Sequence, residues 1–201
     1  VTAFSGNPID SALVRVLDRT FNAPFITYSD INGNFSMEVK KGNYNCIYAT
    51  KVSEYRKTKL EYWAWNVPIF EDMVMNPQYE TMEIYGINVI EPPVTPHETY
   101  MIYFRPMSLS KIINLMESQN VDKKSFEKIA KAEDLLKPVV DNLYNIAPNK
   151  ITAEELSVKI NGIESMVLNI ERVKEYARGM DMYGYFIQVL KPEEIKNMDL
   201  E

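Results

Sequence analysis

Several groupings of side chains in this 201-residue chain have the types and spacings that chemistry needs. Ser108, Leu109, Ser110 and Lys111 spell S-x-x-K, the nucleophile motif of penicillin-binding enzymes. Its companion motifs S-D-N and K-T-G do not occur, so Ser108 is expected to cap a helix instead. Asp30-Ile31-Asn32-Gly33-Asn34 resembles the start of a calcium loop, but Gly33 is its fourth residue and the twelfth is Lys41. An EF-hand needs Gly at position six and a bidentate Glu at twelve, so a tight turn is expected here. His97 is the one histidine; with Glu98 it falls short of the three or four ligands of a zinc site, and no recognisable nucleophile motif accompanies it for a hydrolase triad. Carboxylate pairs such as Glu80 with Glu83, or Glu61 with Glu71, have the composition of a glycosidase acid and base. With 28 acidic residues such pairs also arise by chance.

Aromatics provide the remaining candidate. In a strand, Trp63 and Trp65 share one face and Tyr62, Ala64 and Asn66 the other. Exposed indoles stack on sugar rings, so Tyr62, Trp63 and Trp65 are the candidate ligand-binding residues. The competing expectation is that both indoles fill a core, since Trp is highly buried on average. Glu61 and Val67 are expected to flank them on the same face. Cys46 alternates with Tyr44 and Tyr48 and is expected to point inward as an inert thiol, with no basic neighbour to activate it. No Gly-rich phosphate loop occurs among only 7 Gly, and no cofactor or metal is expected.

These residues must be held by a chain whose bulk properties are ordinary. It is 46% hydrophobic and 25% charged, enough to bury a core and unlike a disordered segment. The net charge of −6 divides evenly between residues 1–106 and 107–201. Neither half is basic, which argues against nucleic acid and against an anionic membrane surface as partners. No apolar run has the length of a membrane span. The chain opens at Val1 rather than Met and reads as a mature or trimmed piece. A lone cysteine excludes an internal disulfide and leaves the compartment open.

Hydrophobic spacing divides the chain. Leu13 to Leu17, Pro24 to Ser29, Phe35 to Val39, Tyr44 to Tyr48, Lys59 to Val67, Thr81 to Ile90 and Thr99 to Phe104 read as short strands, with turns at Asp30–Asn34 and Lys41–Asn43. The Pro-rich stretch 91–96 separates the last two. After Pro106, Leu109, Ile112, Ile113 and Met116 follow the period of a helix. A second helix is expected from an Asp122 cap, a Val121–Phe126 staple and a stripe through Leu143, interrupted at Pro138. Asn161-Gly162 marks a hairpin, and Met166 to Tyr176 and Met182 to Leu190 read as the last strands. The expected organisation is an immunoglobulin/prealbumin-like antiparallel β-sandwich over 1–106, a helical connector over 107–150 and a small β-meander over 151–201 docked on the rest.

Gly6, Pro8, Ile9, Ala12, Val14 and Val16, then Thr27, Asp30, Gly33, Phe35, Val39, Gly42 and Tyr44, resemble the carboxypeptidase regulatory-like family. The resemblance covers residues 1–50. It departs at Ser11, where the family usually has Gly, and at Val1-Thr2-Ala3, where the first strand is clipped. Leu60 to Pro68 and Arg105 to Leu109 lie outside the general motif and read as features of an uncharacterised bacterial subfamily. The resemblance implies a transthyretin-like sandwich and an extracytoplasmic bacterial protein, periplasmic or at the cell surface. Its motif carries no catalytic residue. The expected function is therefore a non-catalytic accessory or binding module of unknown ligand, in a structural or protein-interaction role, with a protein or a glycan as partner; the alternative is a carbohydrate-binding module using exposed aromatics.

Overall fold

The structure, a computed structural model, describes residues 1–94, 97–118, 146–177 and 180–192. These residues are mainly β, in antiparallel sheets, with very little helix. The expected Asp122 cap, the Val121–Phe126 staple and the stripe through Leu143 lie outside them.

Two compact units form, one from Val1–Ile84 with Met107–Ile146 and the other from Tyr85–Pro106 with Ala147–Glu201. In the first, β1 (Leu13–Leu17), β2 (Phe25–Tyr28), β3 (Gly42–Thr50) and β4 (Tyr62–Ile69) make a sheet in the order β2-β1-β3-β4. Register is set by pairs such as Val16 with Ile47 and Tyr48 with Trp63. The main core lies on one face, where Val14, Val16, Ile47, Ala49 and Val67 meet Val1, Ala3, Ile9, Ala12 and Tyr79. Phe35, Met37 and Val39 pack against it while Ser36, Glu38 and Lys40 face solvent, as their alternation requires. The segment forms no sheet ladder, however, so the expected strand there is an extended cover. Period-two spacing reports which side is wet; it does not report a hydrogen-bonding neighbour.

Local chemistry explains the turns of this unit. Asp30 Oδ1 accepts the backbone N–H groups of Asn32 at 2.9 Å and Asn34 at 2.8 Å, so the carboxylate serves the turn. Gly33 follows at φ 76, and a Cβ there would overlap the Val1 carbonyl oxygen. Ser29 is buried and braces a second turn: its hydroxyl donates to Ile9 O at 2.6 Å and accepts from Ala12 N at 2.9 Å. Within that turn Ser11, where the resembled family carries Gly, takes φ 56. That is the left-handed region in which a side chain costs energy. Helix α1 (Leu109–Ser118) follows Ser108 and buries Leu109 and Ile112 against Leu60, the spacing read from the sequence. The backbone N–H groups of Ser108 and Leu109 reach Ile146 O and Thr81 O, and the Ser108 and Ser110 hydroxyls lie 2.9 Å apart.

The second sheet has the order β5-β6-β10-β9, from β5 (Met82–Ile90), whose first three residues belong to the first unit, β6 (Thr99–Ser108), whose last two do, β9 (Val167–Ala177) and β10 (Met180–Leu190). Ile102, Phe104, Tyr185, Ile187 and Val189 form its core, against which Leu156, Val158, Ile160 and Val167 pack. The hairpin β7 (Lys159–Ile160) to β8 (Ile163–Glu164) turns at Asn161 and Gly162, both with positive φ, as an Asn-Gly turn of the primed type requires. β10 pairs with β6 from Thr99↔Leu190 to Phe104↔Tyr185, so the last strands share a sheet with residues before the helix. A short meander buries too little alone, and β6 supplies the missing neighbour.

Candidate functional site

β4 presents its residues to two different environments. Tyr62 and Ala64 pack on the main core, whereas Trp63 and Trp65 face the other way and join Leu17, Cys46 and Tyr48. The three candidate ligand-binding residues are therefore split between faces. Past Trp65 the alternation slips: Asn66 takes φ 54, and Val67 returns to the main core instead of following the indoles. β3 slips opposite it, so that Tyr44 packs on the main core while Cys46 and Tyr48 turn to the second cluster. Asn tolerates the left-handed region better than most residues, which is how a strand changes phase there without breaking.

The second cluster is built from rings. Both indoles are half-buried. They stack with centroids 5.1 Å apart and planes 14° from parallel. Tyr48 meets Trp63 edge-on at 4.7 Å, and Phe21 meets Trp65 at 6.4 Å. Next-but-one residues of a strand stand about 6.6 Å apart, so the two rings lean toward each other. Cys46 is fully buried behind them, and burial pushes its thiol up to about 12.

Two carboxyl groups adjoin this stack. Glu61, just ahead of β4, and Glu83, on β5, are 7% and 3% exposed, among the few charged side chains to be buried at all. Glu61 Oε1 accepts the Trp63 indole N–H at 3.1 Å and the Tyr55 hydroxyl at 3.3 Å. Glu61 Oε2, Glu83 Oε1 and the Tyr48 hydroxyl are closed to solvent and make no hydrogen bond among the described residues. Arg56, itself at φ 57, lies with its guanidinium 4.9 Å from the Tyr55 ring. Burial raises both carboxyls. For Glu61 the Tyr48 side chain, the Arg56 charge and the Trp63 and Tyr55 donors oppose that rise. Glu83 is driven well above the carboxylate range by burial and then by the Glu61 charge.

The sequence offered both residues, in the example pairs Glu80 with Glu83 and Glu61 with Glu71. Glu71 is exposed and Glu80 half-buried, whereas Glu61 and Glu83 come together because Leu60 N–H bonds Glu80 O at 2.6 Å and aligns the two segments. The pair can hold and release a proton. His97 and Glu98 are exposed, and no group of three metal-binding side chains occurs among the described residues.

A second feature belongs to the other unit. β5 is a terminal strand of its sheet, and beyond Gly86, at φ 64, all of Ile87, Asn88, Val89 and Ile90 are exposed. Val89 and Ile90 each keep about half of their surface, at 51% and 49%. The opposite edge, β9, carries Glu171, Arg172, Lys174 and Glu175. Compared with known proteins, the chain matches no family model, no curated protein and no solved structure. Among the described residues no helix is long and apolar enough to cross a membrane.

Proposed function

We propose that this chain is a non-catalytic binding module whose partner is another polypeptide, taken up as an added strand along β5. The observation that carries this reading is the edge itself. From Ile84 to Ile90 the strand has no charge and no proline, the usual devices that keep an edge from pairing, and its last four residues are exposed on both faces. β9 bears such charges, so the two edges of one sheet are treated differently. Strand addition draws affinity from main-chain hydrogen bonds and specificity from alternate side chains, and Ile87 and Val89 with Ile90 offer apolar contacts on both sides.

The prealbumin-like sandwich and an extracytoplasmic location belong to the same proposal. Their support is the resemblance of residues 1–50, joined by the left-handed backbone at Ser11 where that family has Gly. A glycan partner on Trp63 and Trp65 is the weaker reading, because Trp63 is already engaged by both Trp65 and Tyr48.

Selection of random displayed peptides on the immobilised chain tests the proposal. Enriched peptides should alternate apolar residues, and should lose binding to a Val89→Lys variant and on N-methylation of their own backbone. Absence of enrichment, or binding indifferent to both changes, would overturn it.

A further inference from the structure

We propose that the buried Glu61 and Glu83 carboxyls hold one proton between them in the folded protein, making the first unit proton-responsive: closed while the pair holds that proton, and loosened around β3, β4 and the indole stack when rising pH draws it into solvent. The argument starts from charge and solvation. Two carboxylates around one indole N–H, both buried, repel each other and each forfeits its hydration. Among the described residues Arg56 is the cation that acts on both, so full ionisation leaves one negative charge uncompensated in the interior. Neutralising one carboxyl removes that cost.

Hydrogen bonding decides which one. Glu61 has donors aimed at it from Trp63 and Tyr55, and donors to a carboxylate favour its charged form. Glu83 Oε1 has none. The proton therefore resides on Glu83 and the charge on Glu61. The other titratable groups around the pair stay neutral. Tyr48 on β3, Tyr55 in the turn before β4, and Tyr79 ahead of β5 are all raised by burial first, with the Glu61 charge adding to it. Cys46, in the same cluster as Tyr48, is raised by burial alone. Farther along the turn Glu54 is compensated by Lys59 and Lys51.

The direction follows. A carboxyl raised in the folded state favours folding below its unfolded value, and that contribution is lost as pH climbs through the folded one. Where Glu83 is protonated in the folded protein and ionised in the unfolded chain, the unfolding constant rises by up to about tenfold per pH unit. Glu83→Gln keeps shape and a neutral amide but cannot ionise.

The test follows urea unfolding of the full chain from about pH 5 to about pH 9. The wild type should lose stability with rising pH more steeply than Glu83→Gln, other titrating groups being common to both, and its tryptophan emission should shift over the same interval. Equal slopes overturn the proposal. Infrared spectroscopy of the wild type decides the matter even if the variant fails to fold. A C=O stretch of a protonated carboxylic acid, insensitive to added neutral buffer, is expected at neutral pH, and its absence overturns the proposal.

Discussion

Trp63 donates its indole N–H to Glu61 Oε1 at 3.1 Å, and this one bond ties the stacked aromatic pair to the buried carboxyl pair. Indole and carboxyl lie on the same face of one chain segment, two residues apart, so the strand geometry that aligns the rings also delivers the donor. Trp63→Phe should keep most of the ring packing and cost about 1–3 kcal/mol through the unmet carboxylate. Trp63→Ala, which also opens a cavity under Tyr48 and Trp65, should cost about 3–5 kcal/mol. Chemical denaturation of both variants measures the two steps separately, and an undiminished stability of Trp63→Phe would show that the hydrogen bond contributes nothing.

Cys46 is enclosed by Leu17, Tyr48 and the indoles, and burial lifts its thiol to about 12. A thiol in that position is neither ionised nor reachable at mildly alkaline pH. A bulky disulfide reagent should therefore label it only as fast as the first unit opens. Labelling at the rate of a free thiol in native buffer would contradict the enclosure.

Much of this architecture is legible in the residues, and the failures have identifiable causes. Strands such as Leu13–Leu17 and the Asn161-Gly162 turn announce themselves because side-chain alternation and positive φ are local requirements. The slip at Asn66 does not, since an Asn in the left-handed region leaves no mark in the apolar pattern, and so Val67 was expected beside the indoles it turns away from. The pairing of Glu61 with Glu83 depends on a backbone bond from Leu60 to Glu80, and that of β6 with β10 on partners far apart in the chain. Neither is a property of any window of sequence.

Ser11 stands at φ 56 in a turn held by Ser29, with its own N–H bonded to Ser29 O at 3.0 Å. The backbone there is fixed by its neighbours, so the side chain bears the strain. Glycine removes a penalty of roughly 1–2 kcal/mol and returns part of it as greater freedom in the unfolded chain. Ser11→Gly should therefore stabilise the protein by up to about 1 kcal/mol, read as a rise in the denaturation midpoint. A loss would show that the Ser11 side chain makes a compensating contact.

Gly184 on β10 lies directly under the Tyr103 ring of β6, and an added Cβ would overlap that ring. Tyr103 is not free to swing aside without loss, because its hydroxyl bonds Glu175, which also pairs with Arg105 at 2.7 Å. Gly184→Ala should cost about 1–3 kcal/mol by overpacking. Adding Tyr103→Ala should restore tolerance of the alanine, and a double-mutant cycle without coupling would refute the overlap.

Arg56 offers the most specific check on the electrostatics of the buried pair. Its guanidinium does two separable things: it covers the Tyr55 ring, and its charge lowers the cost of ionising Glu61 and Glu83. Covering a ring does not depend on pH. Compensating a carboxylate does, because the compensation matters only once the carboxylate exists. Replacing Arg56 by Met retains much of the cover and deletes the charge, so both carboxyls should rise further in the folded state. By linkage, a further rise leaves stability intact at low pH and removes more of it as pH increases. The gap between wild type and Arg56→Met should thus be small near pH 4.5 and should widen by about 1.4 kcal/mol, at neutral pH and above, for each unit by which the pair is raised. Arg56→Lys, which keeps the charge and loses the planar cover, should show the opposite profile: a loss that is nearly constant with pH. Urea denaturation of the three proteins across that range distinguishes these outcomes, and a gap for Arg56→Met that does not change with pH would mean that Arg56 acts on this site through packing alone.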